Sequence, residues 1–135
     1  MKKHGSELII VLLSLAGLTS YFGCQGCKSP AQTAYVVGQT TTITIEATMG
    51  LWADYVDKHH PGVAAENKVK LAYEQYQKAD ILLLTAGKAM LEAQTSSDAA
   101  KQSSAQAAWR QAEAALTSST IQLYALLQEL GVKLP

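Results

Sequence analysis

The sequence has few of the residues that several kinds of protein depend on. Its 135 residues include 3 prolines, 2 cysteines and a single phenylalanine, and aromatic residues make up only 7%. Two cysteines are too few for a disulfide-rich scaffold or a four-cysteine zinc site. Eleven basic residues balance eleven acidic ones, whereas a general nucleic-acid-binding protein needs a basic surface. We therefore expect one small domain and no nucleic-acid partner.

Motifs of catalytic sites are also missing from the sequence. It contains neither a glycine-rich phosphate loop nor a G-x-S-x-G nucleophile turn. A di-iron site in a helical bundle would need Glu-x-x-His motifs, which are absent as well. Trp52 and Trp109 could stack on a ligand, but both fall at helical core spacing and favour packing. We expect no catalytic residue, no cofactor and no enzyme activity.

The first 27 residues have the composition of a targeting segment. Lys2 and Lys3 open the chain, and Leu8–Phe22 follows as 15 residues without a charge. A basic start before a short apolar run is typical of a secretory signal. The run is shorter than the roughly 20 apolar residues that a membrane-spanning helix needs. Gly23 and Cys24 come directly after it.

This segment resembles the signal of bacterial lipoproteins, in which a small residue precedes the cysteine that receives the lipid. Gly23 and Cys24 match that pattern, although Tyr21 and Phe22 differ from the leucine and small residue usual at those places. The resemblance implies cleavage before Cys24, a lipid on Cys24, and a location on the cell membrane or outer membrane, facing the periplasm. The chain is in this respect similar to the small helical lipoproteins of bacteria and their phages.

Two other interpretations of the same segment stay open. An uncleaved signal would remain in the membrane as an anchor. Cys24 and Cys27 also have C-x-x-C spacing, which redox and metal sites use, but no βαβ pattern surrounds them.

Three later segments share a pattern in which apolar or small residues alternate at spacings of three and four. That spacing places their side chains on one face of a helix. The first stripe is Tyr35, Gly38, Thr42, Ile45, Met49, Trp52 and Val56; the second is Val69, Ala72, Tyr76, Ala79, Leu83, Ala86 and Met90; the third is Trp109, Ala112, Leu116, Ser119, Leu123, Leu126 and Leu130.

Three such stripes predict helices packed side by side at shallow angles. The predicted fold is all-α: an elongated, antiparallel, coiled-coil-like three-helix bundle after an N-terminal apolar signal helix. We expect a signal at residues 1–23, a tether at 24–34 and a bundle at 35–135. The predicted helices cover about 35–59, 63–94 and 98–130.

The residues between the stripes are those that end and start helices. Pro61 and Gly62 separate the first helix from the second, and Thr95–Asp98 offers side-chain oxygens for the start of the third. Gly131 follows the last leucine of the stripe, where a left-handed cap is expected. Thr40–Ile45 conflicts with this plan, because it is β-branched and alternates like a strand. We predict helix there, since the sequence has no second strand to pair with it.

Some apolar residues lie outside the three stripes. They are Ile81, Leu84 and Leu91 in the second helix and Ile121 and Tyr124 in the third. They either widen the core face and add ordinary exposed apolar side chains, or form a second surface for self-association or an envelope protein.

A weak metal site is the alternative to a purely structural role. Asp57, His59 and His60 lie near the end of the first predicted helix, where histidine also suits the helix dipole. Adjacent histidines point in different directions on a helix, so they chelate one ion poorly. The favoured expectation is an exported, lipid-anchored helical protein with a structural or interaction role at a bacterial envelope. The rivals are a periplasmic metal- or small-ligand-binding module and an uncleaved, membrane-anchored oligomeric accessory protein.

Overall fold

A computed structural model of the protein describes residues 30–135 as three α-helices joined by two short loops. α1 spans Pro30–His59, α2 spans Val63–Gln94 and α3 spans Ala99–Glu129. At 1.5 Å per residue, each helix is about 45–48 Å long. No strand occurs between residues 30 and 135, so the predicted all-α three-helix fold is confirmed.

The helix ends agree with the sequence prediction to within one residue, except at the start of α1. That helix begins at Pro30 rather than at Tyr35, so residues 30–34 of the expected tether belong to it. Proline suits the first turn of a helix, where its missing N–H needs no partner. The expected signal at residues 1–23 and the rest of the tether lie outside the described residues.

The two loops use the residues that the sequence singled out. Gly62 precedes α2 with φ 89°, a left-handed conformation that glycine adopts without strain. The Asp98 carboxylate accepts hydrogen bonds from the backbone N–H groups of Ala100 at 2.9 Å and Lys101 at 3.3 Å. These bonds satisfy donors at the start of α3 that have no partner within the helix.

Gly131 ends α3 in a left-handed conformation with φ 92°. The N–H of Gly131 donates to the carbonyl of Gln128, and that of Val132 donates to the carbonyl of Leu127, both at 3.0 Å. This pair of bonds is the Schellman arrangement. Val132 folds back and is buried, so the cap also extends the core beyond the end of the helix.

The threonine-rich segment Thr40–Ile45 is helical, as predicted against its strand-like composition. The hydroxyl of Thr40 donates to the Val36 carbonyl, that of Thr44 to the Thr40 carbonyl and that of Thr48 to the Thr44 carbonyl, each at 2.9 Å. Each threonine thereby satisfies its hydroxyl on the preceding turn of its own helix. The segment needs no strand partner because its polar groups are already bonded.

Contacts between the helices fix their directions. A methyl group on Gly38 of α1 would lie 3.9 Å from Leu83 Cδ2 of α2, while Trp52 of α1 lines a groove with Val69 of α2. Residue numbers that increase along α1 are therefore paired with residue numbers that decrease along α2, so the two helices are antiparallel. Ala93 of α2 likewise lines a groove with residues from the start of α3.

α1 and α3 run parallel to each other. Thr48 pairs with Tyr124, and Tyr55 pairs with Leu130, so both numbers rise together. One end of the bundle contains the start of α1 and the Thr95–Asp98 loop, and we call it the base end. The end with the His60–Gly62 loop and Gly131 is the tip end.

The core changes in character from one end to the other. Towards the tip end it contains large side chains, among them Trp52, Val69, Leu123 and Leu127. Towards the base end, the buried residues of the α2–α3 pair are mainly small: Ala86, Gly87, Ala93, Ala105 and Ala112. Small side chains let two helices approach closely but remove less apolar area from water per residue.

The buried face of α3 shifts away from the predicted stripe near its C-terminal end. Leu127 is fully buried, whereas Leu126 and Leu130 are only partly buried. A stripe that repeats every 3.5 residues drifts across the surface of a helix with 3.6 residues per turn. The core of α3 therefore continues from Leu123 to Leu127.

Replacing Leu123 with alanine tests the assignment of the core. Leu123 is 0% exposed, so Leu123→Ala should lower the free energy of unfolding by about 2–5 kcal/mol through lost burial and a residual cavity. Lys101→Ala, at an exposed position of the same helix, should leave stability nearly unchanged. Urea unfolding followed by circular dichroism measures both. Equal effects of the two substitutions would contradict the described core.

Candidate functional site

Several exposed apolar side chains of α2 lie in the half of the helix that leads to the base end. Ile81, Leu84 and Leu91 are 61%, 48% and 51% exposed, and spacings of three and seven place them on one side of the helix. We call these three residues the α2 stripe. Leu82 is also exposed; it belongs to a run of four apolar residues, Ile81–Leu84, in which only Leu83 is buried.

The two predicted surface residues of α3 differ in their surroundings. Ile121 is 41% exposed and is not one of the residues named above at a contact between two helices. Tyr124 is half-buried, and its hydroxyl lies 3.1 Å from the Thr48 hydroxyl of α1. Because Thr48 donates its proton to the Thr44 carbonyl, Tyr124 donates to Thr48. The structure thus places Tyr124 at a contact between two helices instead of on an open surface.

A polar cluster lies between α1 and α2, next to Gly38. The Tyr76 hydroxyl donates to Thr42 Oγ1 at 3.3 Å, and Thr42 donates to Asp80 Oδ2 at 3.4 Å. The other carboxylate oxygen, Asp80 Oδ1, is buried and has no hydrogen-bond partner. The sequence predicted Thr42 and Tyr76 as members of the helical stripes and gave no sign that Asp80 would join them.

Burial affects the ionisation of both titratable groups in this cluster. Desolvation raises the pKa of Asp80 above its ordinary value, and the weak hydrogen bond from Thr42 only partly offsets that rise. Burial likewise raises the pKa of Tyr76, with Asp80 adding electrostatic repulsion against the phenolate. Both groups are therefore pushed towards their neutral forms. The fold therefore gives an ionised Asp80 carboxylate little compensation beyond the hydrogen bond from Thr42.

The tip end holds the histidines that the sequence offered as a weak metal site. The His59 ring stacks on Tyr55 with centroids 4.5 Å apart, and His60 has a left-handed backbone with φ 47°. Asp57, His59 and His60 are all exposed. Between residues 30 and 135, no three His, Cys, Asp or Glu side chains are grouped so that they could hold a metal ion.

Tyr55 joins the tip end of α1 to the end of α3. Its hydroxyl donates to the Leu130 carbonyl at 2.6 Å, and it stands 3.5 Å from the position that a Cβ on Gly131 would occupy. The ring also stacks between Trp52 and His59. The same aromatic residue thus holds the α3 cap and packs against the histidine, which favours a structural role for His59.

The predicted lipid site, Cys24, lies outside the described residues, and so does Cys27. No helix in the described part of the chain is both apolar enough and long enough to cross a bilayer. Comparison with protein-family models, with curated proteins and with solved structures finds no match.

The Asp80→Asn substitution tests whether a negative charge on the poorly compensated Asp80 side chain destabilises the fold. A raised pKa means that the protonated form is favoured in the folded state, so stability is highest below the unfolded pKa and falls as pH rises through the folded one. Asparagine stays neutral, so at pH 7 the variant should be more stable than the wild type by about 1 kcal/mol. This advantage should shrink as the pH is lowered. Urea unfolding between pH 3.5 and 7 measures it.

Glu92→Gln is the matched control, since it removes one negative charge from an exposed position on the same helix. A difference between Asp80→Asn and the wild type that does not depend on pH would contradict the role assigned to the carboxylate.

Zinc titration separates the structural interpretation of the histidines from the metal-binding one. We expect no heat of binding and no shift in melting temperature when zinc or copper is added to the protein. A saturable shift that disappears in His59→Ala and His60→Ala would show a metal site at the tip end. A shift that survives both substitutions would point to the cysteines.

Proposed function

We propose that this chain is an exported, lipid-anchored helical protein with a structural or protein-interaction role at a bacterial cell envelope, and that it is not an enzyme. The position of the α2 stripe in the bundle supports this proposal. Its exposed apolar residues lie in the base half of α2, and the base end is the one from which the chain leads back to Gly23 and Cys24. A lipid attached there and an apolar surface beside it would both act at the membrane.

The reach of the chain supports this arrangement. Cys24 lies six positions before Pro30, and a fully extended chain of that length spans at most roughly 20 Å. A lipid on Cys24 would therefore hold the base end close to the headgroups. The tip end, about 45 Å away along the helices, would face the periplasm with its His60–Gly62 loop.

An uncleaved chain is the alternative that the same geometry supports. Leu8–Phe22 would then stay in the membrane, and the bundle would be an accessory module that assembles with copies of itself or with an envelope protein. The base end would again lie at the membrane. The two cases differ in the N-terminus of the mature protein, which begins at Cys24 in the first and at Met1 in the second.

Metabolic labelling with radioactive palmitate in a bacterial host tests the lipid anchor. The wild-type protein should take up label, and Cys24→Ser should lose it, because that substitution removes the thiol that carries the lipid. Cys27→Ser is the matched control and should keep the label. Intact-mass measurement of each product shows whether residues 1–23 have been removed. Unlabelled wild-type protein of full mass would contradict the lipid anchor and favour the uncleaved form.

A further inference from the structure

We propose that the α2 stripe docks on the surface of the lipid bilayer, with its apolar side chains at the boundary between headgroups and acyl chains. The bundle would then tilt, so that the base half of α2 meets the headgroups while the tip end stays on the periplasmic side. This inference rests on the membrane attachment proposed above and identifies what the exposed face of α2 touches.

The α2 stripe reaches the level of the first turn of α1. Gly38 lies beside Leu83 and Leu84, and α1 and α2 run antiparallel. Leu91 is seven residues beyond Leu84, which moves it about 10 Å further towards the base end. It is thus level with the first turn of α1, where the chain arrives from the membrane anchor.

The one charged residue within the span of the α2 stripe is basic. Between Ile81 and Leu91 the one charged residue is Lys88; the acidic residues Asp80 and Glu92 lie just outside these limits, with Glu92 four positions after Lys88. Lys88 follows Leu84 by four positions and precedes Leu91 by three, so it shares their side of the helix. A lysine among leucines can extend its ammonium group to anionic headgroups while its stem stays with the apolar residues. Interfacial helices combine apolar and basic residues in this way.

The short distance to the proposed lipid anchor also favours the bilayer over a second copy of the chain. The short tether keeps each copy within reach of the bilayer at all times, which acts as a high effective concentration of lipid surface. A second copy of the chain reaches the same face only by diffusion in the plane of the membrane. Val36, near the base end of α1, is also exposed and adds apolar surface at the same end. The bilayer is therefore the favoured occupant.

Fluorescence of a label at position 84 tests the docking. Leu84→Cys is made in the full chain with Cys27→Ser, purified from membranes and placed in vesicles of phosphatidylethanolamine and phosphatidylglycerol. A polarity-sensitive fluorophore at this position should shift to the blue on reconstitution. It should be quenched by lipids with brominated acyl chains and protected from aqueous iodide.

Leu71→Cys, in the same background, is the matched control. Leu71 is exposed on the same helix, but it lies thirteen residues from Leu84, about 20 Å nearer the tip end. Its label should stay open to iodide and escape the brominated lipids. Adding Lys88→Glu to the Leu84→Cys protein should reduce the blue shift and restore quenching by iodide. Circular dichroism of each labelled protein shows whether the bundle is intact.

Flotation of the vesicles separates this inference from the proposed function. If the protein floats with the vesicles but the label at position 84 is as open to iodide as the label at 71, docking is wrong while attachment holds. Self-quenching between labels at 84, lost on dilution with unlabelled protein, would identify a second copy as the occupant and overturn the proposal. Protein that remains at the bottom of the gradient would overturn both the attachment and the docking.

Discussion

Each helix of this protein keeps its form in water because its apolar stripe is covered by the other two. Isolated helices gain little from propensity alone and depend on such packing. α1 depends on it most, since it carries the β-branched segment Thr40–Ile45. Threonine hydroxyls in that segment donate to carbonyls of their own helix, so they are not left without hydrogen bonds. Burial of the apolar side chains of Ile45 and Trp52 stabilises the packing of α1 on α2 and α3.

This covering is uneven along the bundle. At the tip end, Trp52, Leu123 and Leu127 fill the core, and Tyr55 bonds α1 to the end of α3. At the base end the α2–α3 pair packs through alanines, and α1 meets α2 beside an incompletely paired carboxylate at Asp80. The larger core side chains at the tip end and the poorly paired Asp80 carboxylate both indicate that the C-terminal half of α1 packs on the bundle more stably than its N-terminal half.

The helices and their limits could be predicted because each depends on local features of the sequence. Spacings of three and four, Pro61-Gly62, the Asp98 cap and Gly131 are all readable without coordinates. The start of α1 was missed because a proline is compatible with both a tether and a first turn. Leu127 was missed because a regular stripe does not follow the true period of the helix.

The polar contacts could not be predicted, since they depend on how the helices are aligned with one another. The contact between Tyr124 and Thr48 joins residues 76 positions apart, and the cluster of Thr42, Tyr76 and Asp80 needs the α1–α2 register. The α2 stripe was readable as surplus apolar sequence, but its exposure followed only from the positions of α1 and α3.

An odd number of helices has a consequence for the protein as a spacer. With three passes, the chain enters at one end of the rod and leaves at the other, so the last residues of α3 are a full helix length from the first residues of α1. In a bundle with two or four antiparallel helices, the last helix would instead end beside the start of the first. A partner bound to the residues after α3 would therefore lie about 45 Å from the start of α1. The rigid bundle sets this distance, which a flexible linker would not do.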